Sequence, residues 1–327
     1  MILCDLIIDG NYILNKNVYS LSKNNLLFGS LFKSLEISIL NYRKWFPFAN
    51  VYLVSDSREK SWRKNLNKNY KSHRKQNTDI DWEFVFETYT EFKKSMGFRN
   101  IKVLESPSIE GDDWISFISN QSNLKGRSTI IVSNDYDIKQ IIGYNLSPLY
   151  INIMSNEMLN KQKLFLPKNY QIFLNEVNKL DIGDIFNLND NLDFIRLINS
   201  FMEKYEIHEV DPIESLIIKV ISGDQSDNIS SAWSIVKNGR KRGIGEIGAK
   251  SVFDTYLLEF GEINLSDPDI FENIADLICE KKNLSKMTIS SIKSNIEKNM
   301  KLIHLDMSNI PNEIKAKMNN LYESKHK

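Results

Sequence analysis

The stretch "CDLIID", residues 4–9, runs three large apolar residues straight into Asp9. A short apolar run closed in this way reads as a buried strand. Three further runs are built alike: "NVYLVSD" (50–56) ends in Asp56, "NIKVLES" spans 100–106, and "STIIVSND" (128–135) ends at Asp135. Helical patterns separate them, over 26–45, 82–96 and "SIEGDDWISFISNQ" (108–121), and "DIKQII" (137–142) starts another. In "SIEGDDWISFISNQ", Ser108 is the expected cap, with Glu110, Asp112 and Asp113 in the first turn. Alternating strands and helices predict an α/β fold, a mostly parallel sheet flanked by helices. From about residue 190 the pattern turns helical, with "FIRLINSFMEKY" (194–205), "PIESLIIKVISG" (212–223) and several helices after Phe271. The last residues, "NNLYESKHK", are polar and are expected to fray.

A chain of 327 residues exceeds the usual single domain, so two structural units are expected. Cys4 and Cys279 fit no metal or disulfide pattern and suit a reducing compartment. No run of eighteen apolar residues occurs, and acids follow the N-terminus at once, so a membrane span is excluded and a cytoplasmic protein is expected. The formal net charge is zero, but it is built from separated blocks. Arg58, Lys60, Arg63, Lys64, Lys68, Lys71, Arg74 and Lys75 are opposed in their stretch only by Glu59, and "KNGRKR" (237–242) forms a second basic patch. Such blocks can set a basic surface for a polyanion beside an acidic pocket for cations.

Acids gather at strand ends and helix starts: Asp9, Asp56, Glu110, Asp112, Asp113, Asp135 and Asp137, joined by Asp224 and Asp227 of "SGDQSDN" (222–228). The carboxyl edge of an open parallel sheet is where ligands bind. Taken singly, each acid has an ordinary explanation in a cap or a turn. Together they predict a pocket whose repulsion, on the order of several kcal/mol, hard divalent cations would relieve. Two ions about 4 Å apart would suit phosphodiester hydrolysis.

"LIIDGNY", "VSDSREKSWRKNLNKNYKSHRK", "EGDDWI", "VSNDYDIKQI" and "ISGDQSDNI", in that order, resemble the motifs of the 5′-nuclease superfamily of flap endonucleases and 5′→3′ exonucleases. The likeness covers roughly residues 3–255 and is nearest to phage replication enzymes of the T-even ribonuclease H type. It implies a PIN-like nuclease domain over 1–190 with a helical arch at about 58–98. A helical region over 191–327 would hold a helix-turn-helix duplex-binding element at about 214–260. It further implies two Mg²⁺ ions, with Mn²⁺ able to substitute, and hydrolysis to 5′-phosphate products. Asp9, Asp56, Glu110, Asp112 and Asp135 would surround the first ion; Asp137, Asp224 and Asp227 would serve the second, and Asp113 matches the pattern's last acid. Gly111 stands where the family usually has alanine.

The resemblance gives Lys71 and Arg74 contact with the scissile phosphate, beside the catalytic Asp135. Arg58, Lys60, Arg63, Lys64 and Lys75 would line the strand's path. Trp62 and Tyr70, set among these cations, suit base stacking. In "KRGIGEIGAKSV" (241–252), Gly243, Gly245 and Gly248 precede a helix, where backbone amides can meet a phosphate. Lys237, Arg240, Lys241, Arg242 and Lys250 would add duplex contacts. The family's monovalent cation at this element is at odds with the longer spacing here. The implied partners are 5′-flap, nicked or gapped duplex DNA, RNA–DNA hybrid and a single-strand-binding replication protein, met by a monomer that removes RNA primers and adjacent DNA. Two other readings stay open: a PIN-type ribonuclease, and a non-catalytic structure-specific DNA-binding protein.

Overall fold

In chain order, β1 (Cys4–Asp9) leads to α1 (Gly10–Ser22), α2 (Leu27–Trp45), β2 (Ala49–Val54), the one-turn α3 (Arg63–Leu66), α4 (Trp82–Gly97), β3 (Lys102–Leu104), α5 (Gly111–Leu124) and β4 (Ser128–Val132). The strands β5 (Leu149–Asn152), β6 (Glu157–Asn160) and β7 (Lys163–Phe165) follow. Beyond them come α6 (Pro212–Ser222), the hairpin strands β8 (Ser234–Lys237) and β9 (Arg240–Gly243), α7 (Glu246–Phe260), α8 (Ile270–Lys282), α9 (Ile289–Ile303) and α10 (Asn312–Ser324). This computed structural model describes residues 4–24, 26–45, 49–74, 77–138, 140–141, 149–152, 157–160, 163–165, 211–237 and 240–326. The helix expected at 194–205 lies outside them. The chain divides into two compact units: Met1–Ser61 with Asn77–Val210 and Leu305–Lys327, and Trp62–Gln76 with Asp211–His304.

In the first unit one sheet has the order β3-β2-β1-β4-β5-β6-β7. Its first five strands are parallel, β6 pairs antiparallel with β5, and β7 pairs antiparallel with β6. Leu6, Ile7 and Ile8 are fully buried because β1 is central, paired on both sides and covered on both faces. Leu6 and Ile8 join the core made with Leu14 and Val18 of α1, Leu31 and Leu35 of α2, and Phe92 of α4. Alternation turns Ile7 and its register partner Tyr52 to the other face, where Tyr52 stacks on Tyr322 of α10 at 6.1 Å. Strand order reverses at β1, with β2 and β3 on one side and β4 on the other, and the carboxyl edge of β1 and β4 is the ligand crevice of such sheets.

Several expectations change here. The arch helix over 82–96 forms as α4, but Val85, Tyr89, Phe92 and Met96 at helical spacing are buried against α2, so it is a core helix. The stretch expected to fray is helical as far as Ser324, where α10 ends, and its Tyr322 is buried edge-on to Phe117. Ser108 is not the cap of α5; it sits at φ 68°, and Glu110 takes the N-cap position.

The second unit packs α6, α7, α8 and α9 around Val220, Ile221, Phe253, Ile278 and Ile296. The basic segment Trp62–Gln76 belongs to this unit, and Tyr70 lies in its core. Within the helix-turn-helix element expected at about 214–260, where the spacing is long, the β8–β9 hairpin lies between α6 and α7.

Candidate metal centre and nucleic-acid interface

Asp9 ends β1 and caps α1. Its Oδ1 accepts the Tyr12 amide at 3.0 Å and its Oδ2 accepts the Ser133 hydroxyl at 2.7 Å. Burial pushes its pKa up to about 6; the bonds from Ser133 and Tyr12 pull down, and the charges of Asp56 and Asp135 push further up. Ser133 also ties in Asp135, whose amide donates to the Ser133 hydroxyl at 3.1 Å, and Asp135 Oδ1 accepts the Asp137 amide at 2.8 Å. Ser133 was not singled out from the sequence; its only signal is its place inside "VSND".

Asp56 follows β2 and its Oδ1 accepts the Gly111 amide at 2.6 Å, placing a negative charge at the N-terminus of α5. A Cβ at Gly111 would stand 3.3 Å from that oxygen, so glycine gives Asp56 room to make the bond. Glu110 and Asp112 flank this amide at the start of α5. Asp113 is fully buried and caps the helix reciprocally with Glu110, its Oδ2 accepting the Glu110 amide at 3.1 Å.

In the second unit Asp224 and Asp227 do not share a helical face. Gly223, at φ 76°, ends α6, and both acids stand in the turn beyond it. Lys219 pairs with Asp224 at 2.8 Å. Burial lifts the Asp224 pKa, but the Lys219 ammonium and Ser226 outweigh it and hold the carboxyl below its usual range. Asp227 organises two cations: its carbonyl accepts the Lys71 amide at 2.9 Å and its carboxylate holds Arg74. Lys71 sits at φ 54°, its ammonium 5.1 Å from the Tyr70 ring centre.

Not every basic residue faces outward. Arg63 is buried, its Nε donating to the Leu302 carbonyl at 3.0 Å and its guanidinium 4.6 Å from the Trp62 ring centre. Trp62 and Tyr70 are buried as well, so these three build the unit's interior and are not offered to bases or phosphates. Arg63→Ala is therefore expected to cost roughly 2–3 kcal/mol in urea unfolding, the worth of a buried charge-assisted hydrogen bond. A loss well under about 1 kcal/mol would return Arg63 to the exposed basic residues.

Arg58, Lys60, Lys68 and Arg242 are exposed and Lys64 is half-buried. Lys75 lies outside the described residues. Lys237, Arg240 and Lys241 lie on the hairpin. Lys250 is engaged by Glu214 at 2.7 Å and Asp254 at 2.8 Å. Gly243 passes so close to Ser231 that a Cβ would meet its Cβ at 2.7 Å, and a Cβ at Gly248 would stand 3.1 Å from an Ile244 methyl. Gly245 caps α7 with open space around it, leaving that helix start accessible.

Residues 5–169, just over half of the chain, match the 5′-3′ exonuclease N-terminal resolvase-like domain. The chain belongs to the 5′-3′ exonuclease family. A 5′-3′ exonuclease of Buchnera aphidicola subsp. Acyrthosiphon pisum is 27% identical over 176 residues, covering 52% of this chain and 60% of the relative. One from Mycoplasmopsis pulmonis is 26% identical over 257 residues, covering 77% and 66%. The chain thus spans less than two thirds of these curated relatives' own length. The zinc-bound 5′-exonuclease of bacteriophage T5 shares the fold, with a TM-score of 0.60 at 14% identity over 98% of this chain and 99% of that one. A flap endonuclease of the same phage, in a pseudo-enzyme–product complex with DNA and metal ions, gives 0.58 at 14% over 98% and 99%.

Members of the 5′-3′ exonuclease family are nucleases, and the first unit's donors suit a hard divalent ion. They are all oxygens, and the repulsion Asp9 feels from Asp56 and Asp135 is what a cation relieves. Among the described residues no group of three His, Cys, Asp or Glu stands together as a metal-holding cluster. A Mg²⁺ ion needs only one or two carboxylates from a protein, because it keeps several waters. Among the described residues, too, no helix is long and apolar enough to cross a membrane.

Proposed function

We propose that this family member is a Mg²⁺-dependent, structure-specific 5′-nuclease acting on flaps, nicks and RNA–DNA hybrids, as in removal of RNA primers and adjacent DNA. The observation that carries the reading is Asp9: buried at the sheet's switch point, with Asp56 and Asp135 bearing on its charge. Asp9, Asp56, Glu110, Asp112, Asp135 and Asp137 would hold the metal, with Ser133 orienting Asp9 and Asp135. A bound divalent ion supplies charge neutralisation and Lewis acidity toward a phosphodiester. Lys71 and Arg74 would meet phosphate as a point charge and a fork of donors, placed by Asp227. The open N-terminus of α7 and Arg242 would hold duplex backbone without reading sequence, so binding should weaken steeply with salt.

Matched 5′-flap, nicked and hybrid substrates, assayed with Mg²⁺, with Ca²⁺ and with EDTA, test this. Cleavage near the 5′ end in Mg²⁺ alone, leaving 5′-phosphates, is the expected result. Tight binding in Ca²⁺ with no cutting in Mg²⁺ or Mn²⁺ would favour a non-catalytic binder. Unstructured RNA cut faster than flaps would favour a PIN-type ribonuclease.

A further inference from the structure

The second unit holds a cleft of about 420 Å³ that the nuclease reading leaves unused. Its walls come from the loop after α3, the turn after α6 and helix α9, and apart from Lys298 its lining is amide and hydroxyl. Three of its asparagines are oriented by the backbone. Asn299 donates its amide to the Val220 and Ser230 carbonyls at 2.9 and 2.8 Å. Asn295 donates to the Ala232 carbonyl at 2.9 Å. Asn228 donates to the Asn69 carbonyl at 2.9 Å. A carbonyl accepts only from the nitrogen, so each side-chain oxygen is left over as an acceptor, and among the described residues none of the three receives a hydrogen bond.

Asn299 is mostly buried yet lines the cleft, so its remaining acceptor is available to whatever enters there. Lys298 adds an ammonium with no ion pair among the described residues. The cleft continues, through Asn228 and Ser231, into a groove of about 560 Å³ that ends at Gly245 and the open start of α7.

A ligand suited to this line must carry hydroxyl donors at one end and phosphates along its length. Deoxyribose in a DNA strand has no free hydroxyl to give. Ribose has one per nucleotide, both donor and acceptor. We propose that this cleft is a ribose-reading subsite, in which Asn228, Asn295 and Asn299 accept hydrogen bonds from 2′-hydroxyls of an RNA strand and Lys298 meets its phosphate. The proposal rests on the nuclease reading and names which strand chemistry this unit prefers.

Binding is measured in Ca²⁺ with four otherwise identical 5′-flap substrates, whose flap and adjacent strand are ribo, deoxy, 2′-fluoro or 2′-O-methyl. The fluoro and methoxy sugars keep an RNA-like pucker but donate nothing, so they separate hydrogen bonding from helix shape. The ribo substrate should bind at least about fivefold tighter than the other three, the size of one or more net hydrogen bonds. Asn295→Ala should narrow that ratio, and Lys298→Ala should weaken all four substrates alike. Asn69 also lines the cleft and is exposed, so Asn69→Ala tests the same wall without threatening the fold and should narrow the ratio. Equal binding of ribo and 2′-fluoro strands by wild type, or a ratio untouched in both asparagine variants, overturns the proposal. Either result leaves Mg²⁺-dependent cleavage intact, whereas failure of the nuclease reading would show as no cleavage of any substrate.

Discussion

Asp9→Asn is expected to stabilise the metal-free protein while removing cleavage activity. The wild-type carboxyl has its pKa raised from 3.8 to about 6 in the fold, with burial the largest cause. A raised acid binds its proton more readily in the native than in the unfolded chain. Between about pH 4 and 6 the folded state therefore holds more protons, and stability falls as pH rises through that window. Above it the loss is complete, about 3 kcal/mol at 1.36 kcal/mol per pH unit. Asparagine has no charge to bury; its oxygen can still accept from Tyr12 and its nitrogen can donate to Ser133. Urea unfolding in EDTA should thus give similar stabilities for the two proteins near pH 4 and a variant more stable by about 3 kcal/mol at pH 7.5. Mg²⁺ should close the gap by binding native wild type alone. Cleavage should fall by at least about 10²-fold, since even a group that only orients a metal ligand is worth 10- to 100-fold. A variant no more stable than wild type at pH 7.5, or one that still cuts at the wild-type rate, would remove Asp9 from the centre of the site.

The acids of the first unit were legible because strands in a parallel sheet are short apolar runs, and their carboxyl ends are marked by the first polar residue. Asp9, Asp56 and Asp135 each follow such a run, and their neighbourhood is a consequence of strand order alone. Helix α1 was not legible. Asn11, Asn15, Asn17 and Ser20 depress its helix propensity, and its existence depends on the Asp9 cap and on packing against α2. The stripe Val85, Tyr89, Phe92 and Met96 could be read, and it marks a core helix; family likeness had suggested an arch. Arg63 shows the opposite limit, since its acceptor lies 239 residues away and no local pattern separates it from its exposed neighbours. The same holds for "SGDQSDN". Lys219 is close by in sequence, but the cation that answers Asp227 comes from 153 residues upstream, and only the fold brings them together.

Gly10→Ala should be among the most damaging single-methyl additions in the chain, and the reason lies in what surrounds the residue after Asp9. A Cβ there would stand 2.1 Å from the Tyr89 hydroxyl, 2.6 Å from the Ser55 hydroxyl and 2.6 Å from the Val54 carbonyl. The side chains could turn aside, although Tyr89 and Ser55 hydrogen-bond each other at 2.7 Å. Val54 has less freedom: it pairs with Asp9 on one side and Leu104 on the other, so its carbonyl moves only with the sheet. The expected loss is at or beyond the upper end of the roughly 1–3 kcal/mol typical of overpacking. Activity should fall further than stability, because β1 can relieve the overlap only by carrying Asp9 with it, and about 1 Å of misplacement can cost 10²-fold in rate. Tyr89→Phe deletes the nearest obstacle and leaves the Val54 carbonyl in place. The double variant should therefore recover part of the melting temperature but little of the cleavage, with a coupling energy of about 1 kcal/mol or more in a double-mutant cycle. Full recovery of both would show that the phenol alone set the constraint, and wild-type behaviour of Gly10→Ala by itself would show that the backbone around Asp9 has slack this packing denies it.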